Sequence, residues 1–407
     1  MAFLKLKIED FNFKLLATAL ILSLIGILLI YSAKHASVKE QYLFLRQLFW
    51  LVLSLTAAGV ILTIPLRFHE IFSYLYYLLA LFLLLAVFFI GETKLGATRW
   101  FTFGGINFQP SELAKIATVF ALARYLSYTK RPCYSTLWIG TVMVISLIPL
   151  LLVLRQPDLG TSLVFLAIVL SMLYWSKLPL LFIFLLFSPI ISLIAGFHWI
   201  PWGIFFLLLL YVLHRLRPAI LFSLVILLLN LTFGVLTPLL WNRLHDYQKL
   251  RVLVFLDPNR DPLGAGYQII QSKVAIGSGG LLGKGFLHGS QTKLAFLPMQ
   301  HTDFIFSVVG EEFGLIGSLI FLAFFFYLIF QGFSIASRSR SSFNSYVAFG
   351  LTSVFAFQGV VNLGMAMGLL PVTGIPFPLV SYGGSSLLIS WISIGLLLAI
   401  HHRWTEY

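Results

Sequence analysis

Long apolar runs recur along almost the whole of this sequence, separated by short polar or basic connections. The runs are roughly 17–25 residues long, the length of helix that crosses a hydrocarbon core of about 30 Å. Charged residues make up only 10% of the chain, whereas soluble domains carry about 25%. A segment inside a bilayer must satisfy its backbone polar groups internally, and a helix does so. The sequence therefore predicts an all-α, polytopic integral membrane protein.

The apolar runs predict about 10–12 spans within a single domain that covers residues 1–407. The candidate spans are about 13–33, 45–65, 71–91, 112–128, 136–154, 159–176, 178–197, 200–214, 217–240, 303–335, 344–369 and 380–402. Residues 178–240 are the least certain part, because only short breaks at 198–201 and 214–218 separate the helices there. The run 303–335 is longer than a span needs, so its beginning is predicted to be an interfacial helix.

Basic residues in the short loops predict how the chain is oriented. They fall on alternate loops, which contain Arg67, then Arg124, Lys130 and Arg131, then Lys177, then His214, Arg215 and Arg217, then Arg338 and Arg340. Because short cytoplasmic loops are enriched in Lys and Arg, both termini are predicted to be cytoplasmic. Loops that meet anionic headgroups also explain the net charge of +13. Nucleic acid is therefore not expected as a partner.

Two polar segments face the opposite side of the membrane in this topology. One covers about 92–111 and the other, much longer, covers about 241–302. Long loops on a rigid scaffold are usually functional. The second keeps apolar residues among its glycines, for example at 267–270, so we predict an ordered amphipathic loop that lies on the membrane. Cys133 is the only cysteine, which excludes an intramolecular disulfide and a cysteine metal cage.

Several ionisable residues stand where polar loops meet apolar runs. Asp303 lies at such a boundary, where partial burial raises the affinity of a carboxylate for a proton and suits a general base. The alternative for Asp303 is an ordinary helix N-cap. Glu112 and Lys115 are spaced i, i+3 on one helix face, either as the wall of a cavity or as a structural ion pair. Asp158, in the turn at 155–158, belongs either to the same cavity or to the turn alone.

The long loop is rich in glycine and in basic residues. Its stretch 277–285 fails the phosphate-loop pattern, since Ser278 replaces the first glycine and Gly285 follows Lys284 where Ser or Thr is required. A surface or re-entrant loop is predicted instead. The basic residues of the long loop are Lys249, Arg251, Arg260, Lys273, Lys284 and Lys293. They indicate either a site for an anionic headgroup or a solvated face.

Four motifs resemble those of one known family. The longest begins at Asn362 and continues as GLLPVTGI at 368–375 and LVSYGGSS at 379–386. The others are FQPSELAK at 108–115, QPDLGTS at 156–162 and HTDFIF at 301–306. Together they resemble the SEDS family (shape, elongation, division and sporulation), which includes RodA and FtsW. The segment 271–285 is similar to the RodA branch, through Lys273 and Lys284.

The resemblance implies a peptidoglycan glycosyltransferase of the bacterial cytoplasmic membrane that joins the disaccharide-pentapeptide units of lipid II and releases undecaprenyl diphosphate. It assigns the essential acidic residue to Asp303. The residues that it marks as candidates for substrate binding are Glu112, Lys115, Arg99, Gln109, Asp158, Lys273, Ser272 and Arg251. It also implies a class B penicillin-binding protein as partner, together with other membrane proteins of the elongation complex.

The resemblance leaves some questions open. The family core has fewer spans than the twelve counted here, so 178–240 is predicted to hold an extra helical pair. Ala295 and Met299 stand where relatives often have acidic residues, so no metal site is assigned there. Mg²⁺ or Mn²⁺ held with Asp303 is an alternative to basic side chains for neutralising a departing diphosphate. A lipid II flippase and a non-catalytic scaffold for the penicillin-binding protein are the alternative functions.

Overall fold

The computed structural model describes residues 11–35, 42–94, 97–103, 106–129, 135–243, 246–264, 266–294, 296–297 and 299–403. Helices dominate this part of the chain. They are α1 (Phe13–Lys34), α2 (Tyr42–Thr63), α3 (Leu66–Ile71), α4 (Ser73–Ile90), α5 (Pro110–Tyr128), α6 (Thr136–Arg155), α7 (Leu159–Trp175), α8 (Leu180–Ala195), α9 (Trp199–Leu216), α10 (Ile220–Arg243), α11 (Asp246–Leu256), α12 (Tyr267–Ser278), α13 (Ser290–Lys293), α14 (Ile305–Arg338), α15 (Ser342–Ala366) and α16 (Gly384–His402).

The predicted fold class is confirmed, since the protein is an all-α polytopic membrane protein. Nine helices in the described ranges are long and apolar enough to cross a membrane. α7 and α8 are apolar but shorter, while α5 includes the charged residues Glu112, Lys115 and Arg124. Each of the twelve predicted spans coincides with one helix of the structure, apart from shifts of a few residues at the ends.

The centre of the bundle is formed by α5, α15 and α16. In the apolar window of α15 83% of the residues are buried and in that of α16 72%, against 22% in α9 and α10. α5 packs against α4 and α15, and Gly350 of α15 lies directly against Val119 of α5. Glu112 and Lys115 of α5 therefore lie inside the protein, where ionisable groups are tolerated at membrane depth.

A small antiparallel sheet follows α4, in the segment 92–111 that was predicted as a polar loop. Its strands are β1 (Glu92–Lys94), β2 (Ala97–Phe103) and β3 (Ile106–Phe108), with β2 in the middle. Phe101 pairs with Phe108 and Thr102 with Asn107. The sheet defines what we call the loop end of the bundle, which also carries α11, α12 and α13. It places Arg99 of β2 beside the turn between α6 and α7.

Helices α8, α9 and α10 form a peripheral unit in the region 178–240 where an extra helical pair was predicted. Buried polar side chains join them: Asn230 donates to the Ser188 hydroxyl at 2.8 Å, and the Ser192 hydroxyl donates to the Asn230 carbonyl at 2.7 Å. Trp202 of α9 donates its indole N–H to Ser192 at 2.9 Å. Hydrogen bonds of this kind hold helices together where lipid offers no alternative partner.

α14 is broken at Gly314, whose φ of 65° and ψ of −160° are not helical. The glycine-rich stretch 279–285 fills the break. The carbonyls of Glu311 and Glu312 accept from the backbone N–H of Lys284 (3.0 Å) and Gly285 (2.9 Å), and the N–H of Leu315 donates to the Gly280 carbonyl at 2.9 Å. Glycine is required here, because a Cβ at position 283 would lie 2.1 Å from the Glu312 carbonyl oxygen. The stretch 277–285 therefore supplies backbone hydrogen-bond partners on both sides of the break in α14.

The beginning of α14 differs from the interfacial helix that was predicted. Residues 305–312 are buried, including Ser307 and Glu311, both with no exposed surface. This first part packs under α12 and ends at the break, and the remaining 315–338 is long enough to span a bilayer. The long polar segment is ordered as expected in its described residues, which contain α11, α12, α13 and a 3₁₀ turn at Pro258–Arg260.

Candidate functional site

Glu112 and Lys115 form a buried ion pair in the first turns of α5. The Lys115 Nζ lies 2.8 Å from Glu112 Oε2, and the two side chains are only 3% and 5% exposed. A small cavity next to the pair is also lined by Gln358, Ser390 and Ser393 of α15 and α16. The two interpretations of this pair are thus compatible, since it is an ion pair and a cavity wall at once.

Asp158 ties the start of α7 to the start of α5. Its carboxylate caps α7 by accepting from the Thr161 backbone N–H at 3.1 Å and from the Thr161 hydroxyl at 3.0 Å. The Gln109 amide donates to the same carboxylate at 3.2 Å, and the Arg99 guanidinium lies 3.7 Å from it. The structure therefore brings together the three predicted residues Arg99, Gln109 and Asp158.

The guanidinium of Arg99 is engaged by the protein itself. Its Nε donates to the Gln156 carbonyl at 3.0 Å, and its Nη2 donates to the Pro157 carbonyl. These acceptors lie at the C-terminal end of α6, where free carbonyls and the helix dipole favour a cation. Arg99 was predicted as a substrate-binding residue, but in this geometry it holds the turn that carries Asp158.

Asp303 lies in the turn just before α14 and does not cap that helix. The N-cap of α14 is Phe304, which makes no side-chain capping bond, so the helix-cap alternative for Asp303 is wrong. The pKa of the Asp303 carboxyl is raised from 3.8 to about 6, chiefly by burial; the hydrogen bond with the Thr302 side chain lowers it, and the negative charge of Asp158 contributes to the rise. A carboxylate with a raised pKa is a suitable general base near neutral pH.

The backbone around Asp303 is held by segments distant in the sequence. The Asn362 side chain of α15 donates to the Asp303 carbonyl at 2.9 Å. The Ser381 hydroxyl donates to the Thr302 carbonyl at 2.5 Å, and the Tyr382 N–H donates to the His301 carbonyl at 2.9 Å. Asn362 and Ser381 belong to the motifs quoted above, but sequence reasoning gave neither of them a function.

Gly374 faces the reactive side of Asp303. A Cβ built at this glycine would lie 3.7 Å from Asp303 Oδ2, and its φ is +73°. Residues with a side chain rarely adopt this left-handed conformation, so glycine suits both the turn and the approach of the backbone to the carboxylate. The face of Asp303 is therefore lined by main chain from the loop 367–383 between α15 and α16.

The three predicted residues from the long polar segment have different outcomes. Ser272 of α12 is fully buried, lies 2.6 Å from the Ser307 hydroxyl oxygen and donates to the Ala366 carbonyl at 2.6 Å, so it fastens α12 to α14 and α15 and is not open to a substrate. Lys273 is exposed, and its Cε and Nζ pass over the backbone of Gly368. The side chain of Arg251 lies outside the described residues.

Lys273 and Lys284, the two lysines typical of the RodA branch, differ in their surroundings. Within the described part of the chain Lys273 makes no ion pair. Lys284 pairs with Glu311 at 2.9 Å, and Glu311 is completely buried. The Glu311 carboxylate also accepts from the Ser290 hydroxyl, the Gln291 N–H, and the N–H and hydroxyl of Thr292. Lys284 therefore takes part in a structural cluster, whereas Lys273 is available to an anion.

No group of three or more His, Cys, Asp or Glu side chains that could hold a metal comes together in the described ranges. Asp158 is the acidic residue whose charge acts on the Asp303 carboxyl. A divalent cation held with Asp303 stays a prediction.

The fold and the site define a polytopic membrane protein with a partly buried carboxylate and a basic loop helix at one end of its bundle. The chain belongs to the FtsW, RodA and SpoVE family of cell cycle proteins, whose model matches residues 13–216 and 199–406. This confirms the predicted family.

Individual relatives are similar over nearly their whole length. The chain is 40% identical to the peptidoglycan glycosyltransferase MrdB of Escherichia coli (strain K12), over 92% of this chain and 91% of that protein. It is 36% identical to the peptidoglycan glycosyltransferase RodA of Treponema pallidum (strain Nichols), over 97% and 98%. A solved chain of a peptidoglycan synthase complex that coordinates polymerization and crosslinking superposes with a TM-score of 0.74 at 31% identity, over 98% and 99%.

Proposed function

We propose that this protein polymerises lipid II into glycan strands at the extracytoplasmic face of the bacterial cytoplasmic membrane, releasing undecaprenyl diphosphate during rod-type elongation. The observation that carries the proposal is Asp303, a carboxylate whose pKa is raised to about 6, chiefly by burial. Three hydrogen bonds hold the backbone of the segment 301–303 that contains it. The enzyme class, peptidoglycan glycosyltransferase, is that of the relatives MrdB and RodA.

In the proposed reaction, the sugar 4-hydroxyl of the acceptor attacks the anomeric carbon of the donor. The new glycosidic bond forms as the bond from that carbon to the diphosphate oxygen breaks, and the hydroxyl proton passes to Asp303. Diphosphate is a good leaving group, so no second carboxylic acid is needed of the kind that glycosidases use. Catalysis then depends on positioning the two sugars and on neutralising the departing charge.

Among Arg99, Lys115 and Lys273, the last is the best placed to neutralise the diphosphate. Lys115 is paired with Glu112 at 2.8 Å, and Arg99 donates to backbone carbonyls. Lys273 is exposed on α12 and rests against Gly368, in the same loop as Gly374, which faces Asp303. We therefore assign Lys273 to the anion and leave Arg99, Lys115 and Glu112 as residues that shape the cavity.

The proposal includes a topology and a partner. The alternation of basic loops supports cytoplasmic termini, which puts the loop end, with Asp303 and the long polar segment, outside the cytoplasm. A class B penicillin-binding protein is the proposed partner, supported by the likeness to a chain of a complex that couples polymerization with crosslinking. Other membrane proteins of the elongation complex are proposed as further partners.

The test is glycan polymerisation from purified lipid II, with and without the cognate penicillin-binding protein, by the wild type and by Asp303→Asn. Both proteins must show the same thermal unfolding and the same partner binding. We expect long glycan products from the wild type and a loss of at least about a hundredfold in the variant, the lower end of the range for a general base. Wild-type failure with every partner and with Mg²⁺ or Mn²⁺ would favour a flippase or a scaffold. Equal product from the variant would remove Asp303 from the chemistry.

A further inference from the structure

Two buried asparagines of this protein each donate two hydrogen bonds, in different places of the fold. Asn362 of α15 and Asn230 of α10 are both completely buried. Each side-chain amide nitrogen donates two hydrogen bonds, at 2.9 and 2.8 Å for Asn362 and at 2.8 and 2.8 Å for Asn230. In each the Oδ1 atom is buried without a hydrogen-bond partner. They differ only in what the two donated bonds connect.

The acceptors of Asn362 are the two backbone segments that enclose the candidate base. One is the carbonyl of Asp303 itself, 59 positions away, and the other is the carbonyl of Ile375, 13 positions away. Ile375 directly follows Gly374, whose backbone faces the Asp303 carboxylate. One amide group therefore fixes the distance between the turn that carries the carboxylate and the loop that covers it.

The chemistry of the site requires a neutral group with two donors at this position. Two carbonyl oxygens must be satisfied at once, and each buried acceptor left unpaired costs about 1–3 kcal/mol. An aspartate at position 362 would present acceptors to these carbonyls and add a second negative charge close to Asp303. A serine is shorter and offers one donor. Asparagine meets both requirements from a helix that is itself fixed in the centre of the bundle.

We propose that Asn362 is a positioning residue for Asp303, which sets the depth and orientation of the carboxylate by tying its turn to the loop at Gly374 and Ile375. This inference rests on the proposed function. Asn362 does not touch the substrate and acts through Asp303. A displacement of a reacting group by about 1 Å is enough to lower a rate by about a hundredfold.

The experiment compares Asn362→Ala with Asn230→Ala in the full-length protein and its partner complex. Both variants lose the same two donated bonds in a fully buried site, so both should lose similar thermal stability. We expect only Asn362→Ala to lose turnover, by about tenfold to a hundredfold, with KM for lipid II unchanged. The acidic limb of its pH profile should move down from about 6 towards the ordinary value of 3.8, because a loosened turn lets water reach the carboxylate.

A structural role alone would lower the activity of both variants together and leave the midpoint of the pH profile in place. Wild-type turnover in Asn362→Ala, or an equal loss in Asn230→Ala, would therefore overturn the inference. If Asn362→Ala does not fold, Asn362→Ser takes its place, since its single donor should give an intermediate loss. An inactive wild type would refute the proposed function instead.

A second readout does not depend on activity. Since the folded-state pKa of Asp303 is raised above 3.8, the wild type should lose stability relative to Asp303→Asn as pH rises from 3.8 through about 6. This difference is measured as the gap in unfolding temperature between the two proteins across that range. We expect the gap to shrink when both proteins also carry Asn362→Ala and to persist with Asn230→Ala. A gap that persists in both backgrounds would overturn the inference.

Discussion

Glu311 and Asp303, two acidic residues at the loop end, have very different numbers of hydrogen-bond donors around them, although only eight positions separate them. Glu311 has no exposed surface and accepts five hydrogen bonds, from Lys284, Ser290, Gln291 and twice from Thr292. Asp303 is partly buried, and only the Thr302 side chain opposes the rise of its pKa. A carboxylate that serves the structure is thus saturated with donors, while the candidate for chemistry is left short of them.

The difference follows from what surrounds each residue. α13 turns its first backbone N–H groups towards Glu311, where the helix dipole also favours an anion. Asp303 instead meets the main chain of Gly374 and the negative charge of Asp158. In a membrane protein of few acidic groups, the supply of donors distinguishes the two roles better than burial does.

The largest effect should come from Glu311→Ala. The change leaves the Lys284 ammonium and four further donors without their acceptor, and each buried donor left unpaired costs about 1–3 kcal/mol. We expect a large drop in unfolding temperature and loss of activity, because the cluster holds α13 on α14. Glu311→Gln, which keeps the size and an acceptor oxygen, is the matched control. Its unfolding temperature should lie between those of the wild type and Glu311→Ala. If Glu311→Ala unfolded at the wild-type temperature, Glu311 would not serve the structure, and its contrast with Asp303 would be wrong.

The dependence on pH should be smaller and should involve Asp303. As a base it must be deprotonated, so turnover should be constant above about 6 and fall about tenfold for each pH unit below that value. The measurement is kcat against pH with saturating lipid II, with unfolding followed in parallel to exclude acid denaturation. A profile that is flat down to pH 4 would mean that Asp303 keeps the ordinary pKa of an exposed carboxyl.

The smallest effect should come from Lys284→Ala. The lysine side chain is 28% exposed, and a partly solvated ion pair contributes up to about 1 kcal/mol. The other four donors to Glu311 remain. We expect a fall of a few degrees in unfolding temperature and nearly unchanged turnover, whereas Lys273→Ala should keep its stability and lose turnover. The opposite pattern would mean that Lys284 binds the anion and that Lys273 stabilises the fold.

The helices could be predicted from the sequence because length and apolar character alone determine them in a membrane. Each predicted span coincides with a helix, including the three at 178–240. The sheet at 92–108 was missed, although β2 is rich in Thr and aromatic residues, which are typical of strands. The break at Gly314 gave no signal, because a glycine within an apolar run usually continues the helix.

Residues of the candidate site could be predicted from the sequence, but the role of each of them could not. Arg99, Gln109 and Asp158 come together, and the charge of Asp158 acts on Asp303. Whether Asp303 caps a helix or faces a loop depends on contacts 59 or more positions away, which no local pattern contains. Ser272 likewise looks like a polar loop residue until its neighbours on α14 and α15 are known.

The backbone hydrogen bonds between the strip 279–285 and the break in α14 also imply an order of assembly during biosynthesis. The strip 279–285 is made before the residues around Gly314 whose backbone groups it pairs with. Until they meet, the backbone groups exposed by the break have no partner inside the protein, which is costly near lipid. A chain truncated before position 311 therefore lacks the backbone groups that pair with this strip.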